Sequence, residues 1–210
     1  MQLLWVESCD LNQGVIPESR AVMVMPFINR DQAARCAQLA IRRANFEGLL
    51  LAVHDTERKG FVSTVNLAFK KTTGKFFGYM AQDVFAGREW LSLAIDELQT
   101  QKAQFLGFND GKWHGTLASF GLASRTWAQS NYGGDFFYKD YQRHFADAEL
   151  TVLALSKGVY AYEPNSVLIE VDWNKENSAV DAKDRSLYNT RSKNGFDKRV
   201  VQPKLLTLFS

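Results

Sequence analysis

Cysteine, histidine and proline are all scarce in this sequence, with 2 Cys, 3 His and 4 Pro in 210 residues. Two thiols, Cys9 and Cys36, exclude a disulfide-dense scaffold and a cysteine-rich zinc module. Three imidazoles are too few for a His-rich metal site. Little proline beside 13% aromatic residues excludes a disordered chain. Charge of one sign is missing too. The 25 Lys and Arg stand against 23 Asp and Glu, a net +2, which excludes a nucleic-acid binder working through bulk charge. Long apolar runs are also absent. Ala21 to Phe27 and Gly48 to Val53 have only strand length, and Glu7 and Asp10 interrupt the start before a signal peptide could form. The expectation is a single cytoplasmic domain with no integral membrane segment, able at most to sit peripherally on a membrane.

What is present alternates. Ala21 to Pro26 is a continuous apolar run, the signature of a strand buried on both faces. Asn29-Arg30-Asp31 then signals a helix start, and Asp31 to Asn45 mixes Ala34, Leu39 and Ile41 with Arg35, Arg42 and Arg43 at helical spacing. Gly48 to Val53 repeats the strand pattern and ends in His54-Asp55. Phe61 to Thr72 reads as a helix closed by Gly74, Lys75 to Met80 as a strand, and Arg88 to Gln101 as a helix. Three strand-then-helix units imply right-handed crossovers and a parallel sheet. Such sheets bind ligands outside the carboxyl ends of their strands. Asn29, Arg30, His54, Asp55, Gln82 and Asp83 occupy those ends.

The second half is built differently. Gln104 to Phe108 is a short strand before an Asn109-Asp110-Gly111 turn, and Gly115 to Ala123 is small and apolar. Asn131 to Tyr138 is a glycine-hinged aromatic loop. Phe145 opens a helix running to Gly158, with Asp147 and Glu149 in the first turn, where carboxylates suit the helix dipole. Val159 to Tyr162 and Val167 to Val171 are two further strands, and the charged chain after Trp173 is a surface loop and helix whose basic residues form a solvated face. Trp113, Trp127, Tyr132, Phe136, Phe137 and Tyr138 are core aromatics by default, with stacking on a sugar as the functional alternative.

The order of these segments resembles family 2 nucleotide-sugar glycosyltransferases. Val22-Met-Val-Met-Pro26-Phe-Ile-Asn-Arg30 is similar to their opening strand and loop, and Leu51-Ala-Val-His-Asp55 to their second strand. Thr73 to Asp83 resembles the strand leading to an Asp-x-Asp metal motif, and Asp147-Ala-Glu-Leu150 the helix bearing the catalytic base. The resemblance spans about residues 20 to 172. It implies an α/β GT-A fold, a mixed and mainly parallel sheet flanked by helices in one domain. Residues 20–103 would form the nucleotide-sugar half, 104–172 the acceptor and catalytic half, and 173–210 a charged C-terminal loop and helix.

By position, the resemblance implies that Pro26, Phe27, Arg30, Asp55, Asn66 and Gln82 face the donor. It implies Asp83, with Glu170 or Asp172, as ligands of Mn or Mg, and Asp147 as general base. The partners would be a nucleoside-diphosphate sugar and a glycan or other hydroxyl acceptor, with inversion at the anomeric carbon. Two departures stand out: Ala81 replaces the first acid of Asp-x-Asp, and Thr56-Glu-Arg-Lys-Gly60 replaces the usual Asp-Gly-Ser. Ala81 keeps a second reading open, a GT-A protein that binds nucleotide or glycan without turnover.

Overall fold

Strand β2 (Ala21–Phe27) buries Ala21 to Met25 completely, as a run apolar at every position requires. The computed structural model describes residues 1–18, 20–171 and 182–210. After β2 come α1 (Arg30–Arg43), β3 (Leu49–His54), α2 (Phe61–Lys70), β4 (Phe76–Tyr79), β5 (Val84–Ala86) and α3 (Trp90–Thr100). The second half contributes β6 (Phe105–Asn109), β7 (Gly121–Ser124), α4 (Arg125–Gln129), α5 (Ala146–Ser156), β8 (Tyr160–Glu170) and α6 (Ala182–Lys193). A strand that the apolar-run criterion misses, β1 (Gln2–Glu7), precedes them all. It lies at the sheet edge, parallel to β3, where half-exposed polar and apolar residues suffice.

The strands form one sheet in the order β1-β3-β2-β4-β7-β6-β8-β5. The first four are mutually parallel, as the strand–helix succession predicts; β7 is antiparallel to both β4 and β6, and β6 is parallel to β8. Alternate side chains feed two cores. Val22, Val24, Leu51 and Val53 pack with α2 and α5 on one face, while Met23, Met25, Leu50 and Ala52 pack with α1 and α3 on the other. The result is a helix–sheet–helix sandwich. No helix among the described residues is long and apolar enough to cross a membrane.

Local differences from the sequence reading have identifiable causes. The two strands expected at 159–171 are one strand, β8, whose register against β6 shifts beside Asn109. Gly74 does not close α2; Lys71 does, through its backbone N–H to the carbonyls of Leu67 and Ala68. Gly74 is instead a close-approach position, where a Cβ would stand 2.9 Å from Val22 Cγ2. Its carbonyl accepts from the buried guanidinium of Arg125, which also donates to the Phe69 carbonyl and Thr72. Burial lowers that guanidinium to about 10.

Gly78 sets the seam between the parallel and antiparallel parts of the sheet. A methyl there would lie 2.5 Å from Met23 Sδ and 2.6 Å from the Gly121 carbonyl oxygen. The thioether can move aside, but the β7 backbone cannot without parting from β4. Gly78→Ala is expected to destabilise by about 1–3 kcal/mol, read as a lower urea midpoint at unchanged slope.

Candidate functional site

Strand direction gathers the site. Because β7 runs opposite to β4 and β6 opposite to β7, β4 and β6 point the same way. The carboxyl ends of β2, β3, β4 and β6 therefore share one rim. The chain enters β8, parallel to β6, directly after α5, so α5 descends from that rim and its N-terminus lies there. Asp55, Asp83, Asp110 and Asp147 are thus brought to one rim by topology, from positions 92 residues apart at the extremes (147 − 55).

The residues expected to face a donor divide. Phe27 is buried, stacked on His54 at 4.9 Å and met edge-on by Trp5 at 5.2 Å. Arg30 is exposed, its guanidinium 3.9 Å from the Trp5 ring centroid. His54 Nδ1 is 2.9 Å from Glu7, so β1 closes this corner. Half-buried Pro26 lies just before it. Asp55 is buried and accepts from the backbone N–H groups of Lys59 (2.9 Å) and Gly60 (2.8 Å), folding the 55–60 loop into the start of α2.

Gln82 Oε1 accepts from the N–H groups of Ile28 and Asn29, and its amide donates to Gln32, which fastens the β2–α1 loop. Asn66 is committed elsewhere. Its Oδ1 accepts from the N–H groups of Phe136 and Phe137, and its Nδ2 donates to the Phe137 carbonyl, pinning the aromatic loop. Both amides are scaffolding contacts in this structure. The loop's Phe136 and Phe137 are fully buried and Trp127 is nearly so, whereas Trp113 stays exposed.

Antiparallel pairing of β5 with β8 sets Val84 opposite Glu170, and the Val171 N–H donates to the Asp83 carbonyl at 3.0 Å. Asp83 therefore faces Val171 at the end of this ladder, one position on from Glu170. Asp172 lies outside the described residues, and no group of three or more His, Cys, Asp or Glu assembles among those that are described. By donor type, carboxylates suit Mg or Mn. Ala81, in place of the missing acid, offers only its carbonyl, which accepts from the Cys36 thiol. Burial pushes that thiol up to about 12.

Asp147 stands at the start of α5, two residues past Phe145, whose φ is +66°. Burial raises the Asp147 carboxyl from 3.8 to about 6, opposed by its own and the Ala148 N–H and aided by the charge of Asp110. Its environment is crowded though part of its surface remains accessible. Asp110 is not a simple turn residue. It accepts from the N–H groups of Lys112 (2.9 Å) and Trp113 (2.8 Å) and from Ser119 Oγ (2.7 Å). Thr151 ties that loop to α5, accepting from the Ala118 N–H and donating to the Asp147 carbonyl.

Glu149, read from sequence only as a dipole-favouring acid, is wholly buried. Arg191 grips it with both arms at 2.7 Å, and Tyr132 (3.0 Å) and Tyr141 (2.9 Å) donate their hydroxyls. The Arg191 guanidinium also lies 3.4 Å from the Tyr138 ring centroid and pairs with Asp197 at 3.0 Å. The expected solvated basic face is therefore incorrect at Arg191. The available signal was spacing: Asp184, Tyr188 and Arg191 recur at i, i+4 and i+7, and all three are buried.

Two outcomes follow from this electrostatics. The native Asp147 binds its proton more tightly than the unfolded chain does, so its contribution to stability grows as pH falls from about 6 and is complete below 3.8. Asp147→Asn is expected to melt higher than the parent at neutral pH, with the gap closing near pH 4, as thermal unfolding across pH would record. Arg191→Met takes away the bidentate cation of the buried Glu149 charge and leaves it two tyrosine hydroxyls, with Arg199 at 3.8 Å. It is expected to lose about 3–5 kcal/mol of stability in urea unfolding.

No protein-family model matches the sequence, and neither does any curated protein. Solved structures do match in fold. TarS of S. aureus in complex with UDP-GlcNAc superposes with a TM-score of 0.64 at 10% identity, covering 83% of this chain and 66% of that one. A longer TarS chain matches with a TM-score of 0.63 at 11% identity, and this chain spans 39% of its length while 83% of this chain is covered. The mannosyltransferase PcManGT from Pyrobaculum calidifontis, in complex with GDP-Man and Mn2+, gives 0.59 at 13% identity, covering 96% of this chain and 74% of that one. Glucosyl-3-phosphoglycerate synthase from Mycobacterium tuberculosis, with Mg2+ and UDP, gives 0.57 at 12% identity, covering 88% and 81%. At such identities the likeness is one of architecture. The chain has the GT-A glycosyltransferase fold.

Proposed function

We propose that this protein is a glycosyltransferase that moves a sugar from a nucleoside-diphosphate donor to an acceptor hydroxyl, with inversion at the anomeric carbon. One observation carries the reading. A carboxyl at the start of α5, raised to about 6, stands on the same sheet rim as Asp83. A base poised near neutral pH takes the proton of a weakly acidic hydroxyl most effectively. Donor and acceptor meet across the rim, which supplies orientation as well.

In the step, the acceptor oxygen attacks the anomeric carbon while Asp147 takes its proton, and the bond to the nucleoside diphosphate breaks on the opposite face. Asp83 and Glu170 would hold Mn or Mg, which neutralises charge developing on the departing diphosphate. The donors of similar folds, UDP-GlcNAc and GDP-Man, support a nucleotide sugar as the donor class. Arg30, over Trp5, and the Pro26 to Asp55 corner serve the nucleoside end. Exposed Trp113, on the loop that Asp110 organises, offers a face for an acceptor sugar. Ala81 favours the second reading, binding of a nucleotide without turnover, because it removes one acid from the metal side.

A panel of UDP and GDP sugars, assayed for metal-dependent transfer and donor hydrolysis, separates the two. Asp147→Asn is expected to lose about 10²- to 10⁴-fold in turnover while nucleotide affinity holds. Asp83→Asn is expected to abolish the Mn-dependent rise in melting temperature given by UDP or GDP. Nucleotide binding with no turnover of any donor establishes the binding-only protein.

A further inference from the structure

Three side chains on one face of α6 close on the stretch of chain around Asp147. The buried carboxylate of Asp184 accepts from three successive backbone N–H groups, those of Gln142 (2.9 Å), Arg143 (2.8 Å) and His144 (2.9 Å). The Tyr188 ring lies 5.1 Å from that of Phe145. Arg191 holds Glu149. The contacts therefore land on residues 142–144, 145 and 149, bracketing Asp147 from both sides.

Phe145 occupies the left-handed region, at φ +66°. That conformation is costly for a non-glycine residue and persists where its surroundings impose it. Asp184 and Tyr188 are those surroundings. A buried carboxylate is expensive unless hydrogen-bonded, and three N–H donors aligned on it offset its desolvation. The reverse also holds: the loop's three N–H groups converge on that one carboxylate and take one shape around it.

We propose that Asp184 is a positioning residue, fixing through the 142–144 backbone the left-handed turn that presents Asp147 at the rim. The inward face of α6 is then part of the catalytic apparatus and not an outer cover. The inference rests on the reading of Asp147 as general base. The groups acting electrostatically with Asp147 are Asp110 from the β6–β7 loop, Tyr79 from β4 and Tyr188 from α6.

The test follows the Asp147 carboxyl carbon by NMR in protein labelled with 13C-aspartate, its resonance assigned by its loss in Asp147→Asn. Asp184→Asn and Asp184→Ala remove the same charge but differ in the acceptors they leave for the loop. A loosened loop admits water to Asp147, so its midpoint is expected to fall from about 6 by about one pH unit in Asp184→Ala and about half that in Asp184→Asn. Equal falls mark a through-space charge effect and overturn the proposal, as do unmoved midpoints. Failure of both variants to fold assigns Asp184 to folding alone and overturns it too. The underlying reading is judged separately. Retained transfer by Asp147→Asn rejects the base and leaves the titration result standing, whereas lost transfer with unmoved midpoints rejects only the positioning role.

Discussion

A carboxylate removed from water must be answered by donors, and Glu149 is answered by both arms of Arg191 and by two tyrosine hydroxyls. Much of the second half of the chain is arranged to supply them. Tyr132 comes from the loop after α4, Tyr141 from the approach to α5, and Arg191 from α6. Arg191 in turn draws in Asp197, which sits in a left-handed turn where Gly195, Phe196, Asp197 and Lys198 all have positive φ. Such a turn is costly for residues other than glycine. The buried Phe196 ring, 5.4 Å from Tyr188, and the ion pair to Arg191 offset it. Removing either charge of the Glu149–Arg191 pair therefore loosens several segments together.

The site sits where two kinds of organisation meet. One side grows from parallel strands whose loops are drawn tight by Asp55 and Gln82, both capping backbone N–H groups. The other grows from α5 and the loop after β6, joined through Thr151 and Asp110. The antiparallel strand β7 links the two by turning the chain around and back, so that β4 and β6 end on the same rim. Carboxylates thus share one rim in different environments. Asp147 is held by burial near the working range of a base, while Asp83 and Glu170 are placed by strand pairing.

Legibility in the sequence followed burial. The runs Ala21 to Met25 and Leu49 to Val53 read directly as central strands because both faces need apolar side chains. β1 did not, since an edge strand with one wet face leaves a weak pattern. The positions of Asp83 and Asp147, in the loop after a strand and in the first turn of a helix, were legible because those elements have clear patterns. Their scaffold was not. Asn66 looks like a donor-facing polar residue until its amide is found on the Phe136–Phe137 backbone. Arg191 looks solvated until Glu149, 42 residues earlier, is found beneath it.

The apolar strand runs and their alternation with helices determined by themselves an α/β chain, and the scarcity of cysteine and histidine leaves carboxylates as its most numerous candidate ligands. Those are local properties, set by composition and by periodicities of a few residues. Which carboxylate is buried, which is paired and which is left near neutral was decided only by tertiary structure. A side chain's charge state depends on the water it loses and the partners it meets, and here those partners arrive from distant elements, as Arg191 reaches Glu149 from 42 residues along the chain.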